Sequence, residues 1–368
     1  MRIIHINTQK KWRGGERQLA WLYEEIEKKG IEQLLICKKK SELEVFSIQN
    51  NIHFKSFSIE IHTLFYVAFK LKKLIKKEDT IVHCHDSKSH TIALILKLFY
   101  RSKVKVVVQR KVNFTIKGLF SKKIKYSEKY INAIFCVSKS VESTILKSTV
   151  FRNTIVIYDM IKPFEIPTLN YSKSRFQIGY IAALTSEKDH FTFLNTAKNI
   201  LKIYPNIQFV IAGEGELKTE LMDYTAELGI TNRVDFVGFI KDIPSLIAQI
   251  DILLFTSTSE GLGSTILDFF IAKKPVVTVK NGGSEELVFH NQTGFICEPK
   301  DDMNLSKYCV ELIENPKLRD NITENAYEFV IENFSVNIIT EKILDAYTQI
   351  LKNESVVTIN LNSINNLQ

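Results

Sequence analysis

The sequence predicts an α/β protein made of two consecutive, doubly wound parallel-sheet domains. Three observations lead there. Short apolar runs alternate with helical patterns along nearly all 368 residues, as expected of parallel strands covered on both faces. The alternation breaks once, from Asp159 to Arg175, where Pro163, Pro167 and a polar Asn-Tyr-Ser-Lys-Ser run intervene. Charge changes sign at the same place: residues 1–165 carry 32 Lys and Arg against 15 Asp and Glu, and residues 166–368 carry 17 against 26. The expected layout is a first domain over 1–160, a linker over 161–175 and a second domain over 176–334. A final helix over 335–352 and a frayed, Asn- and Ser-rich tail over 353–368 follow.

In the first half, β-branched and aliphatic runs predict strands at 2–6, 33–37, 80–84, 104–108, 133–137 and 154–157. Apolar residues at helical spacing predict helices over 17–29, 64–77, 89–100 and 139–147. In the second half, strands are predicted at 176–184, 207–212, 234–238, 251–256, 275–280 and 294–298. Helices are expected near 189–203, 216–228, 264–273, 302–314 and 317–332. With 45% apolar and 24% charged residues, the chain reads as globular rather than disordered. No uncharged apolar run approaches the roughly 18–20 residues of a membrane span. The chain opens directly on a strand, so we expect neither leader nor anchor. Five cysteines lie far apart without C-x-x-C spacing, which fits a reduced, cytoplasmic protein with buried thiols. The basic first half suits an anionic membrane surface. It lacks helix-turn-helix, zinc-finger and RNP-like signatures, which argues against nucleic acid.

The most informative run spans 257–277. Glu260 and Asp268 stand eight residues apart, separated first by Gly261-Leu262-Gly263-Ser264-Thr265. A buried strand precedes this turn, and a helix follows it and stops before Pro275. Strand, glycine turn and helix start together present free backbone N–H groups and a positive dipole end to an anion. Asp268 falls one helical turn further on, within reach of hydroxyls on whatever carries that anion. A sugar nucleotide offers both a diphosphate and a ribose diol. After the first strand, Trp12-Arg13-Gly14-Gly15-Glu16-Arg17 forms a second phosphate-compatible turn. His83-Cys84-His85-Asp86 ends the third strand, and the two histidines are expected on opposite faces, one buried and His85 open, sharing no metal. Gln109-Arg110-Lys111 places cations at the end of the next strand. No D-x-D occurs, so the paired carboxylates that would hold a diphosphate through a divalent cation are missing from the sequence.

These motifs together resemble retaining glycosyltransferases of family 4 (glycosyl transferases group 1). The 257–277 run is similar to that family's E-x7-E region, with Asp268 where the second Glu stands, and Ala272-Lys273-Lys274-Pro275-Val276-Val277 resembles its A-x-G-x-P-V-V. Gly14 and Gly15 match its N-terminal G-G-x-E loop. Ile178 to His190 resembles G-R-L-x-x-x-K, with Lys188 retained and Ala183 in the place of the Arg. Gly213 and Gly215 match a G-x-G turn beside the donor, Phe239 and Ile240 fall in the loop that reads the base, and Asn281 to Glu286 resembles G-G-x-x-E.

The resemblance implies the GT-B architecture, two Rossmann-like domains facing a cleft, with the last helix crossing back to the first domain. It implies a metal-independent, cofactor-free enzyme moving a hexose-type sugar with retention from a nucleotide-diphosphate donor to a hydroxyl. Glu260, Lys188 and Arg110 would be catalytic. Gly14, Gly15, Lys188, Gly213, Gly215, Phe239, Ile240, Glu260, Gly261, Gly263, Ser264, Thr265 and Asp268 would hold the donor. His85, Arg110 and Lys111 would face a lipid-linked or polysaccharide acceptor, and Arg13, Arg17 or Arg110 would replace the missing cation. A segment over 114–126, mixing Phe114, Ile116, Leu119 and Phe120 with Lys122, Lys123 and Lys125, is expected to lie on an anionic inner membrane face. Two other readings share the architecture: a non-catalytic, glycosyltransferase-like binding subunit and a nucleotide-sugar epimerase.

Overall fold

The computed structural model describes residues 1–75, 79–118, 121–167 and 175–354. It forms two compact units. One comprises Met1–Met160 and takes up the chain again at Phe334; the other is Ile161–Asn333. Residues 168–174 of the predicted linker and 355–368 of the predicted tail lie outside the described residues.

The first unit runs β1 (Arg2–Asn7), α1 (Gly14–Lys28), β2 (Glu32–Lys38), α2 (Glu42–Gln49), β3 (Phe54–Phe57) and α3 (Leu64–Leu74). It continues with β4 (Thr80–Cys84), α4 (Ser87–Leu98), β5 (Lys105–Arg110), β6 (Ala133–Cys136), α5 (Lys139–Ser148) and β7 (Thr154–Val156). Its strands pair in parallel, in the order β3-β2-β1-β4-β5-β6-β7. The second unit runs β8 (Gln177–Ile181), α6 (His190–Leu201), β9 (Gln208–Ala212), α7 (Lys218–Glu227), β10 (Val234–Gly238) and α8 (Ile243–Gln249). Then come β11 (Ile252–Phe255), α9 (Ser264–Ile271), β12 (Val276–Val279), β13 (Phe295–Cys297), α10 (Asp302–Glu314) and α11 (Pro316–Phe334). Its parallel sheet has the order β10-β9-β8-β11-β12-β13. The last helix, α12 (Val336–Leu351), packs on α1 within the first unit.

Every residue of β1 and β4 is buried, as parallel strands covered on both sides require. Three elements escape the periodicity argument. β3 is a four-residue, partly exposed edge strand, too short to alternate legibly. Both missed helices are set by caps rather than by an apolar stripe: Ser41 accepts the Glu44 N–H at α2, and Asp242 accepts the Ser245 N–H at α8, with Pro in its first turn. All five cysteines are buried thiols. Among the described residues, no helix is long and apolar enough to cross a membrane.

Candidate functional site

Each sheet reverses strand order once, between β1 and β4 and between β8 and β11. In doubly wound sheets such a switch point opens a crevice beyond the strands' carboxyl ends, where ligands bind. The motifs collect there in both units.

In the second unit, the turn after β8 carries Lys188 and the turn after β11 carries Glu260. Lys188 Nζ donates to Glu260 Oε1 at 2.6 Å, with the two side chains only 19% and 16% exposed. The two turns are tied backbone to side chain. The Glu187 carbonyl accepts from the Thr258 N–H at 2.8 Å and from the Ser257 hydroxyl at 3.2 Å. The Thr256 hydroxyl donates to the Asp189 carbonyl at 3.0 Å, and the buried Tyr180 phenol donates to the Lys188 carbonyl at 2.7 Å. Tyr180 rises from a core of aromatic rings, 5.7 Å from Phe193 and 5.5 Å from Phe255. The hydrophobic core therefore sets the height of the Lys188 turn.

The glycines have distinct jobs. Gly213 follows β9 at φ +149°, and a Cβ there would lie 1.9 Å from the Ala182 carbonyl oxygen, so the β9 turn presses directly on the β8 turn. Gly263, at φ +99°, caps α9 and lets the chain enter the helix from Glu260 and the buried Gly261. Ser264 and Thr265, both half-buried, form the first turn of α9. Asp268 lies one turn later and is 5% exposed. Phe239 stands 65% exposed just past β10, with Ile240 half-buried beside it. Gly215 follows Gly213 in the β9 turn, and Ala183 is exposed in the β8 turn. Sequence reasoning missed the supports. Asn281 donates to the Ser257 carbonyl at 3.0 Å and accepts from the Gly283 and Ser284 N–H groups, joining the β11 and β12 turns. An Asn directly before a glycine pair was the available signal.

In the first unit, α1 begins at Gly14 and Gly15, and Glu16 anchors that turn. Its carboxylate accepts from Asn7 Nδ2 at 2.8 Å and from the Arg13 N–H at 3.0 Å. Glu16 is 3% exposed, and burial raises its pKa above the usual carboxylate range. A Cβ on Gly15 would sit 3.9 Å from Lys111 Cδ, an ordinary contact, so this turn and Lys111 are neighbours with room between them. Lys111 is held by Asp159 at 2.5 Å. Across the switch point, Asp86 caps α4 and also accepts the Thr8 N–H at 2.5 Å and the Thr8 hydroxyl at 2.8 Å.

The histidines require a correction. His83 and His85 do not lie on opposite faces: successive strand side chains alternate, so positions two apart return to one side. Their ring centroids are 4.1 Å apart, and β1 adds His5, whose Nδ1 lies 3.1 Å from His85 Nε2. Ring nitrogens of all three fall within 4.8 Å of one another. Gln33 accepts from His5 Nε2 at 3.1 Å, and the Tyr347 phenol of α12 lies 2.6 Å from His83 Nδ1. Burial lowers the His5 pKa to about 4 and holds His83 and His85 well below 6.5, so the cluster is neutral at pH 7. His85 lines a cavity of about 20 Å³ with Gln18, Gln109 and Lys111, room for about one water.

Arg110 is 7% exposed and does not stand open. Its Nη2 donates to the Phe114 carbonyl at 3.0 Å, and its guanidinium lies 3.9 Å over the Phe114 ring. The Arg17 guanidinium lies 4.9 Å over Trp21, and Arg13 caps α1. In the 114–126 segment, Ile116 and Tyr126 are buried, whereas Leu119, Phe120 and the side chain of Lys122 lie outside the described residues.

Residues 162–329 match the family model of glycosyl transferases group 1. The match spans nearly all of the second unit. The chain is 21% identical over 322 residues to the N-acetyl-alpha-D-glucosaminyl L-malate synthase of Bacillus anthracis, covering 82% of this chain and 84% of that protein. It is 24% identical over 287 residues to the poly(ribitol-phosphate) alpha-N-acetylglucosaminyltransferase of Staphylococcus aureus, covering 76% of this chain but 58% of the relative. The crystal structure of Anabaena HepE in complex with UDP superposes with a TM-score of 0.82 at 20% identity, over 95% of this chain and 100% of the other. The chain thus has the GT-B fold.

Proposed function

We propose that this chain is a glycosyltransferase that transfers a hexose-type sugar, with retention, from a nucleoside-diphosphate donor held by the second unit to an acceptor hydroxyl. The observation that carries the reading is the Lys188–Glu260 pair at the β8/β11 switch point, beside the start of α9. In this reading the diphosphate takes Lys188 as its cation and lies against the first N–H groups of α9, which stabilise the charge of the leaving group. The glycosidic bond to the diphosphate breaks and the new bond forms on the same face. The acceptor's proton passes to the departing phosphate oxygen, so no side-chain base is needed. Glu260 would contact the sugar, Asp268 the ribose hydroxyls, and Phe239 with Ile240 the base. A metal ion is not called for, because Lys188 and the helix dipole supply the positive charge and the sequence lacks D-x-D. HepE has been crystallised with UDP-glucose, which supports a nucleotide-sugar donor.

The acceptor is assigned to the first unit, with His85, Lys111 and the Gly14–Gly15 turn beside it and Arg110 shaping it from behind. We favour an anionic, lipid-linked or polysaccharide acceptor at a cytoplasmic membrane surface. Two relatives carry L-malate and poly(ribitol-phosphate) in their names, both anionic. The test is turnover of purified protein with a panel of nucleotide sugars, the product's anomeric configuration being read by NMR. An inverted product would overturn the mechanism. Nucleotide binding with no turnover on any donor and acceptor pair would favour a non-catalytic subunit, the reading to which Ala183 in place of the family's Arg points.

A further inference from the structure

Helices α3 and α4 pack side by side in the first unit. α3 buries Leu64, Val67, Ala68 and Leu71, an i, i+3, i+4, i+7 stripe. Its opposite face ought to be polar and is not: Phe65, Tyr66 and Phe69 are 50%, 55% and 39% exposed. Phe99, at the end of α4, is 63% exposed and meets Phe65 edge-on with centroids 5.0 Å apart. The next residue, Tyr100, lies 6.0 Å from the Phe69 ring, and its phenol donates to the Phe65 carbonyl at 3.3 Å. Two elements thus build one continuous exposed aromatic patch. Scattered exposed apolar residues are ordinary, but a contiguous patch of this kind marks an interaction surface.

The rim identifies the occupant. Lys70 Nζ sits 5.2 Å over the Tyr66 ring and Lys73 Nζ 4.5 Å over Phe69, so the long lysine stems lie along the aromatic edge. Lys72 and Arg101 are exposed on the same two segments. No Asp or Glu occurs between Glu60 and Glu78, or between Asp86 and Glu128. A protein partner usually meets charges of both signs; a rim of one sign around aromatic rings suits headgroups that are anionic above an apolar layer.

We propose that the α3–α4 patch docks this glycosyltransferase on an anionic membrane surface, with Phe65, Tyr66 and Phe99 entering the headgroup layer and Lys70, Lys72 and Lys73 facing phosphates. This rests on the membrane-linked acceptor in the functional reading. It places the contact on α3 and α4 rather than on residues 114–126, where Ile116 and Tyr126 are buried and the half-exposed Phe114 ring lies under the Arg110 guanidinium.

The experiment is co-sedimentation of the full chain with phosphatidylglycerol-containing vesicles and with pure phosphatidylcholine vesicles. It compares wild type, Phe65→Ser with Phe99→Ser, and Lys123→Glu. All three substituted side chains are exposed, and thermal melts with UDP titration check that the fold is kept. The expected result is salt-sensitive binding of wild type to the anionic vesicles only, weakened about tenfold or more by the Phe65/Phe99 pair, with UDP affinity unchanged. Absence of wild-type binding overturns the proposal. So does binding that survives the Phe65/Phe99 change and is lost with Lys123→Glu. A wild-type dimer dispersed by the Phe65/Phe99 pair, without vesicle binding, overturns it in favour of a second copy. Turnover on a water-soluble acceptor is read separately, so failure of docking and failure of the transferase reading remain distinct results.

Discussion

Replacing Glu260 with Gln should tighten binding of the free nucleotide while slowing sugar transfer. The Lys188 ammonium is engaged, 2.6 Å from the Glu260 carboxylate, and both side chains are more than four-fifths shielded. Fully exposed ion pairs are worth less than about 1 kcal/mol, and hydrogen bonds to charged groups about 1.5–3 kcal/mol. A pair shielded to this degree falls between them, at about 1–2 kcal/mol. If a diphosphate must draw Lys188 away from Glu260, that amount opposes each binding event. Removing the carboxylate's charge while keeping its shape should therefore lower the Kd for UDP by about 5- to 30-fold. Lys188→Ala should act in the opposite direction, raising Kd about ten- to a hundredfold through loss of the charged contact. Calorimetry with UDP gives both values, and initial rates with the active donor give the transfer defect of Glu260→Gln. If Glu260→Gln weakens UDP binding in step with Lys188→Ala, the carboxylate supports the nucleotide rather than competing with it, and the reasoning fails.

Asp268→Asn should weaken UDP about tenfold or more and 2′-deoxy-UDP by less, because the deoxynucleotide has one ribose hydroxyl fewer to lose its charged acceptor; equal losses for both nucleotides would remove Asp268 from the 2′-hydroxyl. Ala183→Arg places a cation on an exposed position of the β8 turn and should tighten UDP with little change in melting temperature. An unchanged Kd and an unchanged melt would mean that residue 183 does not face the donor. Acidification should unfold the protein through its buried imidazoles. His5, His83, His85, His90 and His190 all have folded pKa values depressed by burial, those of His5 and His190 to about 4 and that of His90 to about 3. The unfolded chain binds more protons below about 6.5, so their contribution is complete above that pH. It is lost as pH falls towards 4, at up to about 1.4 kcal/mol per pH unit for each histidine. Urea midpoints measured between about pH 7.5 and 5 should fall steeply, and a flat profile would show that the histidines protonate without unfolding.

The strands of the second unit were legible almost residue by residue, because buried parallel strands are short apolar runs bounded by glycine and proline, and such runs survive in sequence as they stand. What sequence did not show was whatever depends on long-range pairing. β3 gains its identity only by lying beside β2. The His5–His83 pairing arises from β1–β4 register, which no single segment encodes. The Lys188–Glu260 contact joins residues 72 apart, and motif spacing named both without showing that they touch. Arg110 misled for a simpler reason. A cation at the carboxyl end of a strand reads as a ligand contact, and nothing local reveals that Phe114 folds back over it.

The tie between the β8 and β11 turns has a thermodynamic consequence. The carbonyls of Glu187, Lys188 and Asp189 are each occupied by a side chain or an N–H group from Tyr180 or from residues 256–258. A nucleotide arriving there meets backbone that is already ordered, and association need not freeze those turns again. The conformational entropy that usually opposes loop-mediated binding was settled when this unit folded. Affinity for small pieces of the donor, a bare diphosphate or a uridine, should then reflect their direct contacts with little added penalty for organising the site.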